Sequence, residues 1–304
     1  AKTMQNKSDD IHTIKAYGMF DIKCTGNHPF YVRHRNEGRP RTYSDPEWVD
    51  ARDIKKSDML GIPINTENII PTYKDLPTND KDFWWIVGRY IGDGWCEYYE
   101  QPRNEKRAII CCDKNTDEEL NEIINKVSKF FDYRYVEERT TYKLFIKNDN
   151  MFEFLHRFGK YAYGKRFTND IFDLPKGLLE AFLDGYVSAD GYIDKDERIN
   201  IKTVSYELAN GIIHCVAKVY NKSCGASILK AGKDTIEGRT VNRREKYVVS
   251  YAKVRKPKDR DFYDEDNNYV WCYVKSNEKE VNQKPVSVYN LSVLDDNTYT
   301  VNNI

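Results

Sequence analysis

Ile86-Val87-Gly88-Arg89-Tyr90-Ile91-Gly92-Asp93-Gly94 and Leu183-Asp184-Gly185-Tyr186-Val187-Ser188-Ala189-Asp190-Gly191 read as one helix ending written twice. Each stretch has Gly at its third place, a small residue four further on, and then Asp-Gly. Small residues at i and i+4 share one helix face and let two backbones approach closely. Asp-Gly ends the helix, and a Gly in that place is free to take a positive φ. Two such helices side by side bring Asp93 and Asp190, 97 positions apart in the chain, to one common end. Two carboxylates so placed can form a divalent-metal site. Arg89 is an unusual charge inside the first of these helices.

Working outward, the duplication extends beyond the helices. Asp117 to Phe131 has apolar Leu120, Ile123, Ile124, Val127 and Phe130 at helical spacing, after a strand-like Ala108 to Cys112. Tyr133 to Val136 and Tyr142 to Ile146 alternate as paired strands, and Met151 to Phe158 is a further helix. After the second motif the order recurs, with a helix over Tyr206 to Tyr220 and strands over Ala226 to Lys230 and Tyr247 to Val254. The middle of the chain is therefore a duplicated α-β-α unit. The first seventy residues and the tail read instead as strands and turns: Tyr17 to Lys23, Pro29 to His34, Trp48 to Val49, Tyr269 to Val274, Val286 to Val293 and Thr298 to Val301. A β-rich start and end around an α/β middle is the pattern of one domain inserted into another.

The 304 residues are enough for two domains. With 48 basic and 48 acidic residues the formal charge is zero, so any nucleic-acid surface has to come from a local stripe. Such a stripe is present from Arg243 to Arg260: Arg243, Arg244, Lys246, Lys253, Arg255, Lys256, Lys258 and Arg260 stand against Glu245 and Asp259, with Tyr247 and Tyr251 interleaved. Its chemistry suits phosphate neutralisation on a twisted ribbon that can enter a major groove. Arg33, Arg35, Arg39 and Arg41 form a second candidate contact loop. Charged residues at 32% and a mean hydropathy of −0.77 give no membrane-spanning segment, and no signal peptide is seen. Seven Cys without a C-x-x-C pair read as reduced intracellular thiols, not as a disulfide framework or a zinc site.

In the β-rich flanks two further motifs stand out. Thr25-Gly26-Asn27-His28-Pro29-Phe30 follows a strand, with Trp48 to Leu60 downstream; Val288-Tyr289-Asn290-Leu291-Ser292-Val293 and Asp295 to Ile304 close the chain.

The paired segments resemble the doubled signature of LAGLIDADG homing endonucleases, and the flanks resemble the T-x-x-H and C-terminal motifs of inteins and hedgehog-type autoprocessing domains. Together the resemblance covers nearly the whole chain. It implies a mixed fold: an all-β hedgehog/intein (Hint) splicing domain at 1–78 and 263–304, interrupted at 79–262 by an α+β pseudo-dimeric LAGLIDADG endonuclease. It also implies Asp93 and Asp190 as Mg²⁺ ligands. Lys165, 25 residues before Asp190, becomes a charge-stabilising lysine beside the metals, with Lys253 a candidate counterpart in the other half. In the splicing domain His28 would protonate or distort the scissile amide and Thr25 would hold the oxyanion, with no cofactor. The implied partners are a double-stranded DNA target, the host extein and a complementary N-terminal intein fragment, without a membrane and inside the cell.

The departures from the pattern are part of the reading. Residue 1 is Ala where an intein begins with Cys or Ser, only 24 residues precede Thr25, and the chain stops at Ile304 and not at His-Asn. Asn290 and Asn297 stand where Asp and His are usual. The expectation is therefore the larger, C-terminal piece of a split intein. Its alternatives are a splicing element whose endonuclease insertion has decayed, and a DNA-binding, maturase-like module without cleavage.

Overall fold

The computed structural model describes residues 2–100, 105–114, 117–236, 238–254, 261–264 and 268–292, and it divides into two compact units. The first unit takes residues 1–64, 220–227 and 253–304, and the second takes 65–219 and 228–252. In chain order, the first segment carries strands β1 (Lys2–Ala16), β2 (Ile22–Thr25), β3 (Pro29–Arg33), β4 (Glu47–Asp50) and β5 (Met59–Pro63). The next elements are α1 (Lys81–Asp93), β6 (Gly94–Tyr99), β7 (Glu105–Asp113), α2 (Asp117–Val127), β8 (Tyr133–Glu137), β9 (Thr141–Ile146), α3 (Asp149–His156) and α4 (Asn169–Phe172). The second half follows with α5 (Lys176–Asp190), β10 (Gly191–Ile193), β11 (Ile199–Thr203), α6 (Tyr206–Tyr220), β12 (Gly225–Leu229), β13 (Gly232–Ile236), β14 (Arg239–Arg243) and β15 (Lys246–Tyr251). The chain returns to the first unit with β16 (Asp261–Asp264) and β17 (Tyr269–Ser292).

Strand order in the first unit is β2-β1-β17-β5-β3-β4, with β16 also paired to β17. β1 and β17 form one long antiparallel ribbon, from Lys2 opposite Ser292 to Ala16 opposite Val274. β17 also runs antiparallel to β5, Tyr269 facing Pro63 and Tyr273 facing Met59. The two expected strands at Tyr269 and Val286 are therefore one strand. Tyr17 to Lys23 is mostly a turn, with Gly18 at φ 83°, and its strand begins only at Ile22. Ile14, Ile22, Val32, Leu60, Ile62, Val270, Trp271 and Cys272 form the buried core. Arg33 is not part of a free contact loop. Its guanidinium ion-pairs with Asp264 and lies 4.9 Å from the Trp271 ring centroid, which holds β16 onto the sheet. The expected third tail strand, Thr298 to Val301, lies outside the described residues.

The second unit is a repeat with two sheets, β6-β7-β9-β8 and β10-β11-β15-β12, the last strand contributing its final two residues to this unit. The orders correspond strand for strand, so each half is a helix, two strands, a helix and two strands. The β13–β14 hairpin is an extra pair between β12 and β15 of the second half. The first half has one strand more than its α-β-α reading, β6, and the second has β10 and β11 more, besides the hairpin. β6 and β10 begin directly at the Gly after the helix and run antiparallel to β7 and β11. α2 ends at Val127, four residues short of its expected end, because Phe130 and Phe131 both donate to Val127 O. The unit starts at Asn65, ahead of residue 79, because residues 65–80 are tied to it. Asn65 Nδ2 donates to Asp173 Oδ1 (2.8 Å), Ile69 N to Asp173 O (2.8 Å) and Tyr73 Oη to Asp170 Oδ2 (2.8 Å). None of the seven cysteines is joined in a disulfide. Among the described residues no helix is long and apolar enough to cross a membrane.

Candidate active site

α1 starts where the Asp80 side chain accepts from Asp82 N (2.7 Å), an N-cap that satisfies one orphan donor. From Phe83 to Ile91 it is buried on all sides. A fully buried helix needs a partner that fits its backbone, and the glycines provide the fit. A Cβ on Gly88 would lie 2.0 Å from Phe182 O, and one on Gly185 would lie 2.0 Å from Trp85 O. One turn on, a Cβ on Gly92 would lie 2.2 Å from Ala189 Cβ. α1 and α5 therefore pack backbone against backbone and run to a common end, where Asp93 and Asp190 are their last residues.

Gly94 and Gly191 follow at φ −121° and −91°, not in the left-handed region. Their glycine is required by crowding. A Cβ on Gly94 would meet Tyr90 O at 2.7 Å and Ile109 O at 2.8 Å; one on Gly191 would meet Val187 O at 2.5 Å.

Burial pushes the Asp93 carboxyl up to about 6, and the Asp190 charge adds to the rise against the pull of Arg89 and Lys165. Asp190 is also raised by burial, with Lys165, Tyr186 and Arg89 opposing. Lys165 belongs to both acids. Its Nζ donates to Ile91 O (2.6 Å), Gly92 O (2.9 Å) and Tyr90 O (3.5 Å), carbonyls of the last turn of α1. That end carries partial negative charge and favours a cation. Burial nevertheless lowers the Lys165 ammonium to about 8, although Asp190 and Asp93 oppose the fall. Ser205 Oγ fixes the backbone here by donating to Lys165 O (2.7 Å).

Equivalent positions differ one turn before each acid. Arg89 is 1% exposed; its Nη2 donates to Asp93 Oδ2 (3.3 Å) and Cys111 O (3.0 Å) and pairs with Glu119, while Nη1 donates to Ser188 O on α5. Tyr186 takes the matching place on α5. Its hydroxyl is buried without a hydrogen-bond partner at short range, yet lies near enough to Asp190 to favour the ionised acid. Arg89 was legible as an oddity in the motif; Glu119 and Tyr186 had no signal of their own.

Two carboxylates, each raised by burial, with a buried hydroxyl beside Asp190 are an oxygen donor set that fits a hard divalent cation. Among the described residues no cluster of three or more His, Cys, Asp or Glu could hold a metal. Mg²⁺ fits a smaller set, because it keeps waters and takes one or two carboxylates together with substrate phosphates.

Of the basic stretch, Arg243 closes β14 and donates to Lys230 O (3.1 Å), Arg244 lies in the turn that follows, and Lys246 opens β15. Lys253 belongs to the first unit and is not among the groups acting on Asp93 or Asp190. Arg255, Lys256, Lys258 and Arg260 lie outside the described residues.

In the first unit, Thr25 ends β2 and His28 follows on a turn closed by His28 N donating to Thr25 O (3.0 Å). A Cβ on Gly26 would lie 2.3 Å from Asp10 Oδ2, so a side chain there would displace the Asp10 carboxylate. Burial lowers the His28 imidazole, and its ring sits edge-on to Phe30 at 5.2 Å. Thr25 and His28 both line a cavity of 1120 Å³ together with Cys24, Phe30, Trp48 and Tyr289. Sequence reading missed the support behind this turn. His12 Nδ1 and Asn277 Oδ1 are 3.0 Å apart, and Asn277 Nδ2 donates to Ala51 O (2.7 Å) and Ile54 O (3.0 Å). Because Asn277 presents its oxygen to His12, the imidazole proton sits on Nδ1.

The second unit thus has two halves, each with a glycine-faced helix ending in an acid, and part of it is similar to a known family. Residues 178–253 match the family model of the LAGLIDADG-like domain. The chain is 27% identical over 163 residues to a DNA polymerase of Thermococcus kodakarensis, covering 51% of this chain and 9% of that protein. It is 25% identical over 222 residues to the replication factor C small subunit of Methanocaldococcus jannaschii, covering 70% of this chain and 11% of that protein. The chain thus spans about a tenth of the length of these curated relatives. A crystal structure of I-DmoI in complex with DNA and Mn matches with a TM-score of 0.37 at 17% identity, over 56% of this chain and 88% of that one.

Proposed function

We propose that the second unit is a LAGLIDADG-type endonuclease making site-specific double-strand breaks in DNA, and that the first unit is a Hint-type protein-splicing domain into which it is inserted. The observation that carries the nuclease reading is the pair of acidic helix ends, Asp93 and Asp190, held together by the Gly88 and Gly185 contacts with Lys165 beside both. Mg²⁺ bound by these acids would activate a water and hold the attacking and leaving oxygens of an in-line displacement. The carboxylates orient that charge. Lys165, with an ammonium near 8, can give up or take a proton close to neutral pH and can sit against phosphate charge. Arg243, Arg244 and Lys246 would bind phosphates, joined by Lys253, Arg255, Lys256 and Lys258.

Insertion into a host protein is supported by the partial matches: similar segments occupy a minor part of two unlike proteins. The splicing reading rests on Thr25 and His28 meeting at one cavity. Burial lowers the His28 proton affinity, so the neutral ring can orient the scissile amide and the protonated ring readily gives its proton to it, while the Thr25 hydroxyl can support the oxyanion. The partners on this reading are a complementary N-terminal intein segment carrying the first nucleophile, and the host exteins. The free thiols favour an intracellular setting.

A second reading, splicing with a decayed nuclease, is favoured by one contact. Arg89 already donates to the Asp93 carboxylate and would compete with a metal for it. The test selects bound duplexes from a randomised pool and incubates them with and without Mg²⁺. Metal-dependent cutting of both strands supports the nuclease; tight binding without any cutting supports decay. For the first unit, mixing with an N-terminal intein piece and flanking exteins should yield a ligated product, and an undiminished yield with His28→Ala would remove that residue from the mechanism.

A further inference from the structure

The loop between the two halves ends in Lys165 but carries more than the lysine. Residues 158–166 close on themselves: Arg166 N donates to Phe158 O (2.9 Å) and Gly164 N to Tyr161 O (3.0 Å). A Cβ on Gly159, at φ 95°, would lie 2.0 Å from Gly164 O, so the neck of the loop is as tight as a chain can make it. Tyr161 is held at φ 63°, a region that a bulky side chain enters at a cost of about 1 kcal/mol or more. Its ring lies against that of Tyr163. The two rings stack at 5.7 Å and 18°, yet they are 59% and 56% exposed. An apolar stack in water contributes little to the fold that presents it.

Cations frame the stack. The Arg244 guanidinium lies 4.9 Å from the Tyr163 centroid, and the Lys160 ammonium lies 5.2 Å from that of Tyr161. Exposed Arg166 stands at the foot of the loop. The same short loop thus carries Lys165 inward to the acids and two tyrosines outward, and Arg244 joins it to the basic turn after β14. Flat rings among cations fit a polyanion with flat faces, which is nucleic acid. An apolar protein partner would meet uncompensated positive charge at this place.

We infer that the Tyr161–Tyr163 stack is a DNA contact that packs against one base or base step beside the cleavage centre and partly unstacks it. The inference rests on the endonuclease reading and adds a contact to it. Wedging of side chains at a base step costs unstacking and gains contact area. Ring–base stacking is sequence-tolerant and adds no phosphate contact, so it is separable from charge by its salt dependence.

The experiment uses the whole chain and the duplex recovered from the randomised pool, with 2-aminopurine placed in turn along its centre and Ca²⁺ in place of Mg²⁺. Wild type should brighten the probe at one or two adjacent positions. Tyr161→Ala/Tyr163→Ala should lose that signal and bind roughly tenfold more weakly, with an unchanged slope of log K against log salt. Tyr161→Phe/Tyr163→Phe should restore both. In unmodified protein, bound duplex should protect Tyr161 and Tyr163 from nitration, a readout that needs no variant. Unprotected tyrosines, or an alanine variant with the wild-type signal and affinity, would overturn the inference while leaving the endonuclease reading intact. Failure of wild type to bind any duplex would overturn both.

Discussion

Gly88→Ala should destabilise the second unit more than an ordinary core substitution. The added Cβ would start 2.0 Å from Phe182 O and 2.8 Å from Tyr186 N, both backbone atoms that cannot rotate away. Ordinary contact begins at 3.4 Å, so α1 and α5 must separate by more than 1 Å along their tightest line. Overpacking a core costs about 1–3 kcal/mol, and a backbone obstacle places this case at the upper end. For a unit of this size about 3 kcal/mol lowers the melting temperature by roughly 6–12 °C. The same separation moves Asp93 from Asp190, and a misplacement of about 1 Å can cost on the order of a hundredfold in rate. Gly177→Ala is the control. It lies on the same helix pair but has only the Lys81 side chain nearby, at 3.6 Å, so it should raise stability by about 0.5 kcal/mol through helix propensity. Thermal melts by circular dichroism and single-turnover cleavage give both readouts. A Gly88→Ala protein that melts within about 2 °C of wild type and cuts normally would refute the argument that these glycines set the helix spacing.

Three further outcomes follow from the same contacts. The Asp93 carboxyl is raised in the folded protein, so its cost is absent below about pH 4 and complete above about pH 6; with the side chain 40% exposed, solvent screening leaves about 1 kcal/mol. Asp93→Asn should therefore be more stable than wild type at pH 7 and equal to it near pH 3.5, and a stability difference that does not change over that range would contradict the assignment. Arg33→Ala should cost the first unit roughly 1–3 kcal/mol by removing the ion pair of the largely buried Asp264 carboxylate, and adding Asp264→Asn should recover part of it; urea melts of the single and double variants check this. Replacing Arg255, Lys256 and Lys258 by Ala should flatten the salt dependence of DNA binding by roughly two to three in slope, and an unchanged slope would move the phosphate contacts elsewhere.

The helix pair was legible because its signal is local: small residues on one face, an acid at the end, and the same words repeated. The role of the following glycines was misread, because crowding by Tyr90 O and Val187 O, unlike a positive φ, leaves no trace in a single chain. β1 escaped notice since Lys2 to Asp10 is almost wholly polar; its pairing with β17 rests on backbone hydrogen bonds that any sequence can make. β6 and β10 begin on the glycine that seemed only to stop a helix. At the site, Asp93 and Asp190 could be named from their spacing, and Lys165 only through the family resemblance. What holds Lys165 could not, because its partners are carbonyls. Asp10, His12 and Asn277 meet behind the Thr25–His28 turn only through the β1–β17 ribbon, which joins residues some 265 positions apart.

The central claim is that Asp93 and Asp190 form one metal-dependent centre serving both strands of DNA. It is tested most directly by following each strand separately, with end labels of different colour, as wild type, Asp93→Asn and Asp190→Asn act on the selected duplex in Mg²⁺. The account predicts that wild type cuts both strands and that either substitution alone abolishes the double-strand break while binding in Ca²⁺ is kept. Cutting of both strands at the wild-type rate by either variant would contradict it.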